Sequence, residues 1–251
     1  LTAGKNILIT GMSGLIGWLA GRHLAESNNV TALGRQPVDG VSTTVADISD
    51  FDAIRPAFEG VDTVIHMSAS RGNQPFETHL QANIVGVYNV FEAAREAEVR
   101  RIVAASSGAV IAGYERDEPY ALLAKGVRPA KPVELITVTT KVRPTSVYTA
   151  TKLGGEALAA YFVEAHGMSI ICVRVGKVEV DDVPASVRAA AVWCSHRDIV
   201  QMIEKCVDTP DDIRFEVLYA VSDNPTGYRD WQSAKELVGY EPQDSSTIHG
   251  F

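Results

Sequence analysis

The sequence predicts an α/β fold, a doubly wound parallel sheet with a small C-terminal substrate-binding portion. Three observations carry this. Short β-branched runs alternate with longer stretches of helical periodicity, the pattern of a parallel sheet covered on both faces. A glycine-spaced turn joins the first such run to the first helical stretch. The chain has 251 residues and is 46% hydrophobic, enough for one large α/β domain plus an appendage.

Taken in order, Asn6–Thr10 is expected as a buried strand, and Gly11–Gly17 as the turn. A helix is expected over Leu15–Ser27, a second strand over Val30–Leu33 and a weaker third over Val41–Val45. Phe51–Phe58 reads as helix and Val61–His66 as a fourth strand. Phe76–Glu98 carries apolar residues at helical spacing and is expected as one long helix. Arg101–Ala105 is expected as strand five, Ser146–His166 as a helix and Ser169–Val175 as strand six. Beyond these, a helix is expected around Asp198–Val207, a strand over Arg214–Tyr219 and a helix over Trp231–Val238. Residues 1–175 thus read as a dinucleotide-binding domain, and 176–251 as a smaller portion packed on it. The excursion at 113–144 is long enough to be expected as a lid or a partly mobile segment.

Composition narrows the function. The formal net charge of −8 argues against nucleic-acid partners and a basic membrane-surface role. No apolar run approaches the ~20 residues of a membrane span, and no basic leader with an apolar core opens the chain. Cys172, Cys194 and Cys206 form no Cys-x-x-Cys and read as reduced, mostly buried thiols of a cytoplasmic protein. No His, Cys or carboxylate cluster has metal-ligand spacing, so no metal is expected.

Gly11, Gly14 and Gly17 follow a strand and open a helix, with Ser13, Leu15 and Ile16 between and beside them. In that context glycines let main-chain amides approach a pyrophosphate at a helix N-terminus, the Rossmann arrangement. The end of strand two selects the dinucleotide. An acid there binds ribose hydroxyls, but this chain reads Gly34-Arg35. A guanidinium pairs with a 2′-phosphate, which favours NADP, with NAD as the alternative. Asp47 and Ile48 fall where the adenine is expected, and Met67, Ser68 and Ala69 where the chain passes the cofactor ribose.

Tyr148 and Lys152 lie four residues apart on the helix expected from Ser146, hence on one face. An ammonium beside a phenol favours the phenolate, giving a general acid/base for alcohol or carbonyl chemistry. Ser106 and Ser107 end strand five. Ser106 is expected to bond nearby backbone.

With these residues the chain resembles the extended short-chain dehydrogenase/reductase superfamily, in the NAD-dependent epimerase/dehydratase group. It is most similar to uronate dehydrogenases and related sugar dehydrogenases. The shared stretches include Asn83-Ile84-Val85-Gly86-Val87-Tyr88-Asn89, Ala105-Ser106-Ser107, the Tyr148/Lys152 pair, Val173-Arg174-Val175-Gly176 and Trp193-Cys194-Ser195-His196-Arg197-Asp198. The resemblance implies that Ser107 polarises the reacting oxygen and that Tyr148 moves the proton. It implies that Lys152 binds the nicotinamide ribose and lowers the tyrosine pKa, that Asn83 fixes a relay water, and that Val175 borders the cofactor. Arg188 matches an arginine that binds a substrate carboxylate. Departures are Gly108-Ala109 in place of Asn-His after the serine, and Arg71 and Lys177 in place of serines. The implied pocket is more cationic, suited to an anionic sugar-like small molecule. A homodimer through the Phe76–Glu98 and Ser146–His166 helices is also implied, with Val87, Val90, Phe91, Leu158 and Phe162 as its apolar residues. Three functions stay open: an NAD(P)-dependent dehydrogenase, a nucleotide-sugar epimerase or dehydratase, and a non-catalytic dinucleotide-binding protein.

Overall fold

The computed structural model describes residues 4–210 and 212–251. Seven strands form one all-parallel sheet: β1 (Asn6–Thr10), β2 (Asn29–Gly34), β3 (Thr43–Val45), β4 (Thr63–His66), β5 (Arg101–Ser107), β6 (Ile170–Val175) and β7 (Phe215–Ala220). Their order is β3-β2-β1-β4-β5-β6-β7, so the chain winds outward in both directions from β1 and β4. The sheet is the doubly wound, Rossmann-type architecture the sequence predicts. Its switch point, between β1 and β4, is where such folds bind ligands.

Period-2 alternation divides the strand side chains between two cores. Ile7, Ile9, Val103, Ile171 and Val173 pack under α1 (Leu15–Leu24) and a later helix over His196–Asp208, through Ala20, Leu24, Ile199, Met202 and Cys206. Leu8, Val64, Ile102, Ala104, Ile170 and Cys172 face the other side. There they meet α2 (Phe51–Ile54) and the long helices that follow β4 and precede β6. Residues after 175 therefore supply both a strand and a covering helix to the main sheet.

The helix expected over Phe76–Glu98 is interrupted. It runs as α3 (Phe76–Leu80), a π-helical turn at Gln81–Val85 and α4 (Gly86–Glu96). A π turn is invisible to apolar periodicity and tends to mark a functional position; here it holds Asn83. A short helix α5 (Tyr120–Leu123) precedes α6 (Val147–His166), which starts at a capping box. Ser146 accepts from the Thr149 amide and Thr149 Oγ1 accepts from the Ser146 amide, both at 3.2 Å. That cap places Tyr148 in the first turn, and Gly167 ends the helix at φ 69°.

The 113–144 excursion is packed rather than free. Leu123 and Ile136 share a small core with Val110, Ile111, Ala191, Val192, Tyr219 and Tyr228. The Ile136 amide donates to Tyr228 O at 2.7 Å, and the Asp230 amide donates to Ile136 O at 3.0 Å. Part of the apolar surface it packs on is thus supplied by residues after 175.

Candidate active site

The turn after β1 is shaped by its glycines. Gly11 has φ 71°, and a Cβ there would lie 2.7 Å from Ser68 N. A Cβ on Gly17 would meet Gly11 O at 2.6 Å and Met12 Cα at 2.8 Å. No larger residue fits either place without moving backbone. Gly14 N-caps α1 with no side chain on the exposed amides, and the first turn has no acid. Ser13 is exposed, and Leu15 and Ile16 are half-buried at the mouth. Gly11 N and Gly14 N are held within the turn by Leu33 O and Gly11 O, which leaves the uncapped first-turn amides of α1 as the part of this glycine cradle that fits a pyrophosphate.

The adenosine side is built by β2 and the loop after β3. A Cβ on Gly34 would point at Gly11 N, 3.9 Å away, so an acid at this position would reach toward the cradle. None is there, and Arg35 is exposed beside it. Asp47 accepts from Ser49 N at 2.9 Å and Ser49 Oγ at 2.8 Å. Those bonds, with Arg35 nearby, hold its carboxyl below the usual range despite partial burial. Ile48 is buried against Gly86, and Asn89 Nδ2 donates to Ile48 O and Ser49 O at 3.0 Å each, tying the loop to α4. Met67, Ser68 and Ala69 leave β4 half-buried beside the cradle, with the Ser68 amide donating to Thr10 Oγ1 at 3.3 Å.

Across the switch point, β5 and α6 bring Ser107, Tyr148 and Lys152 together. The Ser107 hydroxyl lies near enough to the Tyr148 phenol to favour its ionised form, and accepts from the Ala109 amide at 3.2 Å. Burial pushes the Tyr148 phenol up, while Ser107 and the Arg71 charge pull it down. Burial prevails, so the phenol stands above its ordinary value rather than below it as expected, and the charge that opposes burial is that of Arg71. Lys152 is itself buried, and desolvation lowers its ammonium from 10.5 to about 8. Asn83 accepts from the Ser70 amide at 2.8 Å and donates to Ser70 O and Thr151 Oγ1 at 3.0 Å. Its carboxamide therefore staples the 67–71 loop to α6. Val175 ends β6 in register with Ser107, nine-tenths buried.

Behind the pair lies a buried network that the sequence did not signal. Ser106 Oγ donates to Glu156 Oε1 at 2.5 Å, and Arg174 grips Glu156 with Nε at 2.9 Å and Nη2 at 2.8 Å. Ser106 thus bonds a side-chain carboxylate, not the backbone expected of it. The ion pair ties α6 to β6 two turns from Tyr148.

Of the three expected substrate cations, Arg71 is exposed near Tyr148 and Lys152, with no carboxylate in contact among the described residues. Lys177 pairs with Glu179 at 3.3 Å. Arg188, on α7 (Val187–Ala191), is gripped by Glu115 at 2.5 and 2.8 Å, and Tyr228 Oη donates to the same carboxylate at 2.6 Å. Gly108 is covered by the guanidinium of Arg229, a residue missed in the sequence because nothing local marks it. His196 and Asp198 belong to a structural seam. Asp198 accepts from Gln243 N at 2.7 Å and Ser222 Oγ at 2.5 Å, fastening the C-terminal segment to α8 (His196–Asp208).

The described residues contain no group of three or more His, Cys, Asp or Glu able to hold a metal, and no helix long and apolar enough to cross a membrane. The three cysteines are free and buried.

Comparison with known proteins agrees with this geometry. The chain is 31% identical to the NAD-dependent glucose-6-phosphate dehydrogenase of Haloferax volcanii, across 98% of this chain and 95% of that protein. It is 30% identical to the uronate dehydrogenase of Pseudomonas syringae pv. tomato, across 97% of this chain and 84% of that protein. A solved mutant of Agrobacterium tumefaciens uronate dehydrogenase complexed with NAD superposes with a TM-score of 0.84 at 28% identity, covering 99% of this chain and 88% of that one. Residues 7–191 match the model of the NAD dependent epimerase/dehydratase family, and the chain belongs to that family.

Proposed function

We propose that this enzyme, an NAD(P)-dependent dehydrogenase acting on a CH–OH group, oxidises a sugar or sugar derivative with Tyr148 as the general base. The observation that carries the reading is the juxtaposition of Ser107 at the end of β5 with Tyr148, and Lys152 one turn along the same helix, across the switch point from the glycine cradle. Gly11, Gly14 and Gly17 would hold the pyrophosphate, with Asp47 and Ile48 at the adenine, Met67 to Ala69 at the ribose and Val175 at the nicotinamide end. A bound nicotinamide would supply the hydride acceptor. Ser107 orients the substrate hydroxyl, and Tyr148 takes its proton. Arg71 favours the phenolate that this step needs. Lys152, charged below pH 8, binds ribose hydroxyls and returns the proton toward solvent.

Relatives named for glucose 6-phosphate and uronate support a sugar as the substrate class. Residues 1–175 would bind the dinucleotide, with 176–251 and the packed excursion forming the substrate side. Gly34-Arg35 favours NADP over NAD. The test is incubation with NADP or NAD and a panel of neutral, acidic and phosphorylated sugars. Absorbance of the reduced cofactor and product analysis are followed together. Net reduction is expected; an isomerised sugar without net reduction would refute the dehydrogenase reading.

A homodimer through α4 and α6 is the assembly we favour, on different residues from those first expected. Val87, Val90, Phe91 and Phe162 are buried against the chain's own sheet. Tyr88 and Tyr161, at 44% and 51% exposure, are large side chains that those helices leave outside, along with Val147 at the start of α6. Light scattering at micromolar concentration checks it, and a monomer refutes it.

A further inference from the structure

Three arginines among the described residues are buried: Arg101, Arg174 and Arg229. Arg174 is neutralised by Glu156, and Arg101 donates to the carbonyls of Thr209 and Pro210 at 3.2 and 2.8 Å. Arg229, only 5% exposed, differs from both. No hydrogen bond or carboxylate contact reaches its side chain among the described residues, and its Nε is sealed from solvent without a partner. Nη1 and Nη2 are not sealed. The nearest aromatic face, Tyr228, lies 5.8 Å from Cζ. A desolvated guanidinium without an anion is unfavourable, and buried charges are otherwise paired.

Its placement is fixed rather than incidental. The backbone at 228–230 is bridged to Ile136 on both sides, so the side chain springs from a pinned strand-like segment. The guanidinium rests on Gly108, the residue after Ser107. A Cβ at Gly108 would collide with Nη1 and lie 2.7 Å from Cζ. Glycine at 108 therefore makes room for Arg229 beside the Ser107–Tyr148 pair. Glu115, which meets the neighbouring Tyr228, is already committed to Arg188 and the Tyr228 hydroxyl, and Asp230 accepts from the Gln232 amide.

We propose that Arg229 is a specificity-determining residue that receives an anionic group of the substrate, a carboxylate or a phosphate, next to Ser107. The proposal rests on the dehydrogenase reading for its location, and on the unpartnered guanidinium for its charge selectivity. A planar, permanently charged fork suits either oxyanion.

The test compares wild type with Arg229→Gln and Gly108→Ala. The first removes the charge at similar length; the second displaces the guanidinium and keeps it. With D-glucuronate and D-glucose 6-phosphate, both variants should raise KM at least about tenfold, while Arg229→Gln should change the constants for D-glucose by less than about twofold. The arm with the larger effect identifies carboxylate or phosphate. Thermal unfolding of Arg229→Gln should not fall below wild type, since an unpaired buried charge is removed. Equal effects on acidic and neutral sugars, or a lower unfolding temperature without anion selectivity, would make Arg229 structural and overturn the proposal. Calorimetric titration with glucuronate and inorganic phosphate decides the matter even if no sugar is turned over. Binding to wild type that Arg229→Gln abolishes would uphold the anion site while the dehydrogenase reading fell. No binding to wild type would overturn the anion site itself.

Discussion

Lys152→Met should make the protein more stable at pH 7 while removing its activity. Lys152 is 6% exposed, accepts no carboxylate contact among the described residues, and has its ammonium lowered from 10.5 to about 8 by burial. Methionine fills nearly the same volume without the charge. Below pH 8 both folded and unfolded chains bind the proton, so the full desolvation penalty is present there. At ~1.4 kcal/mol per pKa unit, that penalty is about 3 kcal/mol. Between pH 8 and 10.5 the unfolded chain binds the proton more readily than the folded one. Wild-type stability from this group therefore rises with pH across that window. The advantage of the methionine variant should be about 3 kcal/mol at pH 7 and shrink to about 2 kcal/mol at pH 9. For a chain of this size that corresponds to a rise in Tm of roughly 6–12 °C at pH 7. Urea unfolding at both pH values, without cofactor, measures it. A less stable variant at pH 7, or a difference independent of pH, would show that Lys152 is a structural ion-pair partner. The outcome expected here instead marks a side chain kept at a cost in stability, as functional groups are.

Tyr148→Phe should lower kcat by ~10²–10⁴ while leaving cofactor affinity unchanged by calorimetry, because only the proton-transferring oxygen is removed. A variant retaining half the wild-type kcat would take Tyr148 out of the mechanism. Arg71→Ala should move the pH profile of oxidation to higher pH, since the Arg71 charge pulls the phenol down against burial; an unchanged profile would detach Arg71 from the site. Arg35→Ala should narrow the preference for NADP over NAD by ~1.5–3 kcal/mol of charge-assisted bonding, and wild-type preference for NAD in titration would refute the 2′-phosphate assignment.

Much of the fold was legible because its signals are local. The β-branched runs at Ile7–Ile9, Val64–Ile65 and Ile170–Val173 need no partner to announce a buried strand, and all three lie in the central sheet. The cradle was legible for a similar reason, since Gly11 and Gly17 are demanded by contacts within seven residues and with the adjoining strand. Tyr148 and Lys152 follow from helical spacing. What escaped was long-range pairing. Glu156 and Arg174 are 18 residues apart, Arg188 and Glu115 are 73 apart, and neither partner is periodic with anything near it. Arg229 reads as a surface charge until Gly108 is seen beneath it. The π turn at Gln81–Val85 also escaped, because it lengthens one turn of helix without disturbing the apolar pattern that predicts the helix.

These pairings redistribute the charge that the sequence alone assigned to the pocket. Arg188 and Lys177 are exposed, and exposed ion pairs contribute only ~0–1 kcal/mol, which by itself would let a substrate anion displace Glu115. Glu115 is held more firmly than a surface pair, by two bonds from Arg188 and one from the Tyr228 hydroxyl, which itself stacks in the small core with Tyr120. Displacing it would leave a carboxylate and a phenol without partners at the rim. Arg71 and Arg229 require no such exchange, since no internal carboxylate holds either among the described residues. Charge selection in this enzyme is therefore expected near the reacting oxygen rather than at the pocket mouth. Glu115→Gln should then leave the preference between acidic and neutral sugars nearly unchanged, whereas Arg229→Gln should erase it.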